Sequence, residues 1–114
     1  MNKVGFLAVL LWLSTPALAD HGSPPAAGEP LVIDVRTAEE YQQTHVRQAV
    51  NIPYDRIAMQ IAALAPDPNA RIVLYCRSGR RSGIAEQTLR QMGYKQVENK
   101  GGLDNMQRMG YQTD

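Results

Sequence analysis

The chain carries one cysteine, Cys76, followed at once by Arg77-Ser78-Gly79-Arg80-Arg81-Ser82-Gly83. Ile72 to Tyr75 in front of it is an apolar, β-branched run that reads as a buried strand. From Ser82 the pattern turns helical, with Ile84, Leu89 and Met92 on one side. A strand, a tight loop and a helix N-terminus form an anion cradle, because successive backbone N–H groups point inward and the helix dipole adds positive charge. A thiol in such a cradle ionises more readily, since the thiolate is the stabilised form. Cys76 is therefore a candidate nucleophile inside an anion-binding loop. A lone cysteine can also be a small buried hydrophobe at a strand end. The three arginines of this loop favour the reactive reading.

The elements that must position this loop alternate along the chain. Leu31 to Val35 reads as a strand buried on both faces. Thr37 with Glu40 makes a capping box for a short helix from Ala38 to Thr44, with Tyr41 facing inward. Ala49 to Ile52 is a second short strand, stopped by Pro53. Tyr54 to Ala65 places Ile57, Ile61 and Leu64 at helical spacing, and Met59 there is a gap-filler or surface residue. Pro66-Asp67-Pro68-Asn69 makes a turn, and the strand into Cys76 follows. The helix after the loop ends near Met92, with Gly93 as its stop. Tyr94 to Asn99 is a last strand, at a sheet edge, and a terminal helix runs from Leu103 to Met109. The pair Gly101-Gly102 lets the backbone approach a neighbour closely. Alternation of this kind predicts an α/β domain: a mostly parallel sheet of four to five short strands with helices on both faces. Cys76 then lies at the carboxyl end of a central strand, where open α/β sheets place their sites.

Other polar residues read as structural. Asp34 and Arg36 form an opposite-charge pair at a strand end, expected to pin neighbouring loops rather than touch substrate. His45 is expected to organise a turn rather than to serve Cys76 as a base. His21 has no second metal ligand close by.

The 114 residues suffice for one domain. Lys3, the apolar run Val4 to Leu13, the break at Ser14-Thr15-Pro16 and Ala17-Leu18-Ala19 before Asp20 read as a cleavable secretory signal peptide over residues 1–19. Residues 20–30, rich in Pro, Gly and Ala, form a flexible lead-in. The domain proper is expected over residues 31–110, with a tail at 111–114. The net charge is +1, and loss of Lys3 with the leader makes it neutral. A neutral chain is not built to coat nucleic acid or an anionic membrane. A single cysteine permits no internal disulfide, and a free thiol in an oxidising compartment points to catalysis or to an intermolecular bridge.

The sequence resembles the rhodanese family of single-domain sulfurtransferases over roughly residues 31–110. The resemblance is carried by Ile33-Asp34-Val35-Arg36, by Tyr41, by His45-Val46 leading to Ala49-Val50-Asn51-Ile52-Pro53, by Cys76 to Ser82, and by Gly101-Gly102-Leu103. The family loop Cys-x-x-Gly-x-Arg falls on Cys76, Gly79 and Arg81. The resemblance implies that Cys76 accepts sulfur and that Arg77, Ser78, Gly79, Arg80, Arg81 and Ser82 bind the substrate. It also implies thiosulfate as donor, cyanide or a small thiol as acceptor, and no metal or organic cofactor. With the leader, it implies a periplasmic enzyme, expected to be monomeric.

Two rival readings remain. A cysteine phosphatase or arsenate reductase needs a loop one residue longer, to wrap a whole tetrahedral oxyanion. In this chain that longer spacing falls on Ser82, whereas Arg81 comes one residue sooner. The other rival is an exported persulfide carrier without turnover, distinguished by assay rather than by residues.

Overall fold

The computed structural model describes residues 28–114. The signal peptide at 1–19, His21 and most of the 20–30 lead-in lie outside the described residues. Four strands form one sheet: β1 (Leu31–Asp34), β2 (Val50–Asn51), β3 (Arg71–Cys76) and β4 (Gln96–Gly102). Their spatial order is β2-β1-β3-β4, and every pairing is parallel. The expected parallel sheet is present, with four strands and with β3 between β1 and β4.

Side-chain alternation divides the core into two layers. On one face Leu31, Ile33, Ile72, Leu74 and Cys76 pack with Ile57 and Ile61 of α2 (Ile57–Leu64) and with Ala85 and Leu89 of α3 (Arg80–Gln91). On the other face Val32, Val73 and Tyr75 meet Met106 of α4 (Leu103–Arg108). Helices thus cover both faces, as parallel strands require, because neither side of such a strand is left for water.

The connections from β1 and β3 run in opposite directions. The chain leaves β1 through α1 (Ala38–Gln43) toward β2, and leaves β3 through α3 toward β4. The carboxyl ends of β1 and β3 therefore flank a switch point, where loops diverge and a crevice opens. Cys76 is the last residue of β3 and stands at this point.

The β1 end is fixed as the charge pair predicts. Arg36 donates to Asp34 through Nε at 2.9 Å and Nη2 at 2.6 Å, and Nη2 also donates to the Thr44 carbonyl at 2.7 Å. The buried Tyr75 hydroxyl donates to Asp34 Oδ2 at 2.7 Å and accepts from the Val46 N–H at 2.9 Å. Burial first, then the Asp34 carboxylate, push the Tyr75 phenol above its ordinary pKa, so it stays a donor. His45 stacks on Tyr41 with ring centroids 3.7 Å apart and meets the Tyr41 carbonyl through Nδ1 at 2.6 Å. It organises the turn after α1.

The bounds expected for two helices are corrected. The helix after the loop begins at Arg80, not Ser82, and buries Ser82, Ala85 and Leu89 while Ile84 and Met92 face outward. Its first turn points Ser82 at the cysteine, with Ser82 Oγ 3.4 Å from Cys76 Sγ, and that rotation turns Ile84 and Met92 outward. The helix expected from Tyr54 starts at Ile57, because Pro53 opens a turn and the Tyr54 N–H bonds back to the Val35 carbonyl at 3.0 Å. The residues set apart as a tail are paired: Thr113 bridges Val46 antiparallel, and Asp114 exchanges backbone bonds with His45.

Candidate active site

The Cys76 loop turns because Gly79 adopts φ +103°, the left-handed region that favours glycine, at the N-cap of α3. That turn aims the Gly79 N–H at Cys76 Sγ, 3.0 Å away. Ser82, one turn into α3, places its Oγ 3.4 Å from the same sulfur. Cys76 itself is 1% exposed. Burial alone disfavours the thiolate. Hydrogen bonds from the Ser82 hydroxyl and from the amides of Ser82, Gly79 and Ser78 outweigh it, so the thiol ionises below its ordinary pKa. The sulfur is deep, but the amides face it, which is the cradle expected from the sequence.

The three loop arginines part company. Arg81 is held by Glu40 of α1 in a two-pronged pair, Nη1 to Oε1 at 2.8 Å and Nη2 to Oε2 at 3.1 Å. The Arg81 and Glu40 side chains are 19% and 20% exposed. The Arg81 guanidinium pulls the pKa of Glu40 down to about 2 against its partial burial, with Thr37 assisting. Glu40 in turn raises the pKa of Arg81, and the charge of Cys76 adds to that effect. Arg81 is thus a fixed positive charge near the sulfur, with its fork already engaged. Arg77 is exposed and only loosely tied, 3.8 Å from Glu40. Arg80 is exposed. A groove of about 360 Å³ beside the loop is lined by Arg77, Arg36, Glu40, Thr44 and Leu103 among others.

The glycine pair has a definite role. Gly102 is the register partner of Cys76. A Cβ at 102 would overlap the Arg77 carbonyl group. Only glycine lets β4 press against the loop. Gly102→Ala is expected to displace the loop, costing about 1–3 kcal/mol of stability and lowering kcat/KM for thiosulfate. Thermal melts and steady-state kinetics check this, and wild-type kinetics would uncouple the loop from position 102.

Two residues of the site carry no signal of this role in the sequence. Glu40 reads as a capping residue, which it is: its carboxylate accepts from the Thr37 N–H at 3.0 Å. Its clamp on Arg81 arises only because α1 lies against the cysteine loop. Asn99 belongs to no motif. It braces the loop by donating from Nδ2 to the Gly79 carbonyl at 2.9 Å and accepting the Ser82 hydroxyl at 2.7 Å.

Residues 18–109 match the rhodanese-like domain family, and the chain belongs to that family. Among characterised relatives it is 43% identical over 107 residues to the thiosulfate sulfurtransferase PspE of Escherichia coli (strain K12), covering 93% of each chain. It is 37% identical over 68 residues to the putative sulfur carrier protein YrkF of Bacillus subtilis, matching 60% of this chain and 36% of that protein. A solved rhodanese with anions from E. coli superposes with a TM-score of 0.70 at 42% identity, covering 75% of this chain and 98% of the other.

Proposed function

We propose that the protein is a thiosulfate sulfurtransferase that passes a sulfane sulfur through a persulfide on Cys76. The observation that carries this reading is the sulfur held under inward-facing amides at the carboxyl end of β3, with its thiolate favoured. Similarity to a thiosulfate sulfurtransferase along nearly the whole chain supports it.

The chemistry follows from the charges. Thiosulfate is a dianion, drawn toward Arg77 and Arg80 at the mouth and toward the fixed charge of Arg81. The Cys76 thiolate attacks its outer sulfur. A new S–S bond forms, the S–S bond of thiosulfate breaks, and sulfite leaves with the electron pair. The negative charge then sits on the outer sulfur of the persulfide, where the N–H groups of the Arg77 to Ser82 loop stabilise it as they would an oxyanion. Cyanide or a small thiol attacks that sulfur and releases the Cys76 thiolate, so the kinetics are ping-pong. Neither step requires a metal or organic cofactor. A one-atom reach suits a residue this deeply buried better than a tetrahedral phosphate does, which disfavours the phosphatase reading.

The leader at 1–19 supports export and a periplasmic location for the mature chain. No helix among the described residues is long and apolar enough to cross a membrane. The mature protein is proposed to act as a monomer. The similarity to a putative sulfur carrier favours one second reading, a persulfide carrier that loads sulfur without turning over. Incubation with thiosulfate and cyanide separates the two. Continuous thiocyanate release, many equivalents per protein, is the expected result. Release that stops at one equivalent or fewer would establish the carrier instead.

A further inference from the structure

The Ser82 hydroxyl has one proton and two neighbours that compete for it. Ser82 is fully buried, so the contest is confined to protein atoms. Asn99 Oδ1 lies 2.7 Å from Ser82 Oγ, and Cys76 Sγ lies 3.4 Å from it. The Asn99 amide cannot be turned over without loss. Its Nδ2 donates to the Gly79 carbonyl at 2.9 Å and its Oδ1 accepts the Gly101 N–H at 2.8 Å. A flipped amide would set donor against donor and acceptor against acceptor. Oδ1 is therefore a fixed acceptor facing Ser82.

Three states of the sulfur make different demands. The neutral thiol donates to Ser82 Oγ, and Ser82 donates onward to Asn99, so every group is satisfied. The thiolate has no proton and becomes the stronger acceptor, which draws the Ser82 O–H away from Asn99 and onto Sγ. In the persulfide the charge has moved to the outer sulfur. Sγ is then a neutral, two-connected sulfur and a weak acceptor, so the hydroxyl returns to Asn99.

We propose that Ser82 is a two-position hydrogen-bond donor and that Asn99 is its alternative acceptor, a positioning residue that favours the thiol and persulfide states over the free thiolate. The persulfide half of this inference rests on the sulfurtransferase reading of Cys76. The charged groups around the sulfur are Arg81 of α3 with its Glu40 partner from α1, the exposed Arg77, and the Asp34–Arg36 pair at the end of β1. Edge strand β4 presents the uncharged Asn99, flanked by Glu98 and Lys100, which pair with each other at 3.2 Å.

The test begins with the unaltered protein. Asn99 is exposed, so as Cys76 ionises the Gly101 N–H is left as the one protein donor to Asn99 Oδ1. Its proton resonance should move downfield with the thiol titration, then return when thiosulfate converts Cys76 to the persulfide. A Gly101 resonance that ignores the titration, or that stays displaced in the persulfide, overturns the inference. If mass analysis finds no added sulfur on Cys76, the sulfurtransferase reading fails instead, and the titration alone decides the hydroxyl switch.

Variants supply the second arm, read as the midpoint of the pH dependence of alkylation by iodoacetamide. Asn99→Ala should lower the midpoint and raise the thiolate fraction below it about threefold to tenfold, the worth of one neutral hydrogen bond. Ser82→Ala should raise the midpoint, and adding Asn99→Ala to it should change nothing more. A midpoint that rises in Asn99→Ala, or that shifts equally with and without Ser82, shows Asn99 acting through the Gly79 carbonyl and overturns the switch. Should Asn99→Ala fail to fold, the Gly101 resonance of the unaltered protein still decides between the two outcomes.

Discussion

Cys76→Ser is expected to abolish thiocyanate formation from thiosulfate and cyanide, by roughly a thousandfold or more, while the melting curve stays close to that of the parent. The asymmetry between the two readouts comes from the loop. A serine hydroxyl fits the space of the thiol and still finds the Gly79 N–H and Ser82 Oγ as partners. The buried position therefore gains no unsatisfied group, and stability changes by about 1 kcal/mol or less. Reactivity depends on something serine cannot offer, an anion at neutral pH. The amides and hydroxyl that lower the thiol's pKa cannot bring an alkoxide into range, and oxygen does not form the persulfide. Residual turnover within tenfold of the parent would place the sulfur elsewhere.

Arg81→Ala is expected to raise the thiosulfate KM by about 10- to 100-fold, equivalent to about 1.5–3 kcal/mol for a charge-assisted contact. Two effects share this sign. The substitution removes a positive charge near Cys76. It also leaves the Glu40 carboxylate beside the loop with Arg77, at 3.8 Å, as its remaining ion-pair partner. Glu40→Gln should act in the opposite direction, because it frees the Arg81 fork for the incoming dianion and lowers KM. An unchanged KM in Arg81→Ala would transfer the anion contact to Arg77 or Arg80.

The same ion pair sets a pH dependence of stability. The Arg81 guanidinium holds the pKa of Glu40 at about 2, well below the usual carboxylate value of 4.5. Its contribution is therefore complete above about pH 4.5 and is lost as the pH falls toward 2. Arg81→Ala should be destabilised most above that window, by about 1 kcal/mol given partial exposure. The two proteins should converge only below pH 2, once Glu40 is protonated in both the folded and the unfolded chain. Urea melts across this range read the difference directly.

Much of this molecule is written locally in its chain. The β-branched run before Cys76 becomes β3, the Thr37–Glu40 spacing becomes a capping box, and Gly101-Gly102 marks the close approach of β4 to the loop. Each is a short-range signal that packing leaves in place. The site's finer wiring is long-range. Glu40 already has a sufficient local reason to be glutamate, so its second partner, 41 positions away, leaves no trace in the pattern. Asn99 reaches the loop where the β3–β4 register shifts between Leu74 and Cys76, an irregularity that strand alternation does not announce. The face of α3 misleads for a related reason. Its first turn must bury Ser82 for the sulfur, so apolar spacing assigns Ile84 and Met92 inward when the packed stripe is Ser82, Ala85 and Leu89.

The most direct measurement is the mass of the protein after brief exposure to thiosulfate, followed by peptide mapping without reductant. A gain of one sulfur atom on the Cys76 peptide, removed by cyanide, is the predicted result. Thiosulfate that is consumed while Cys76 keeps its original mass would contradict transfer through this residue.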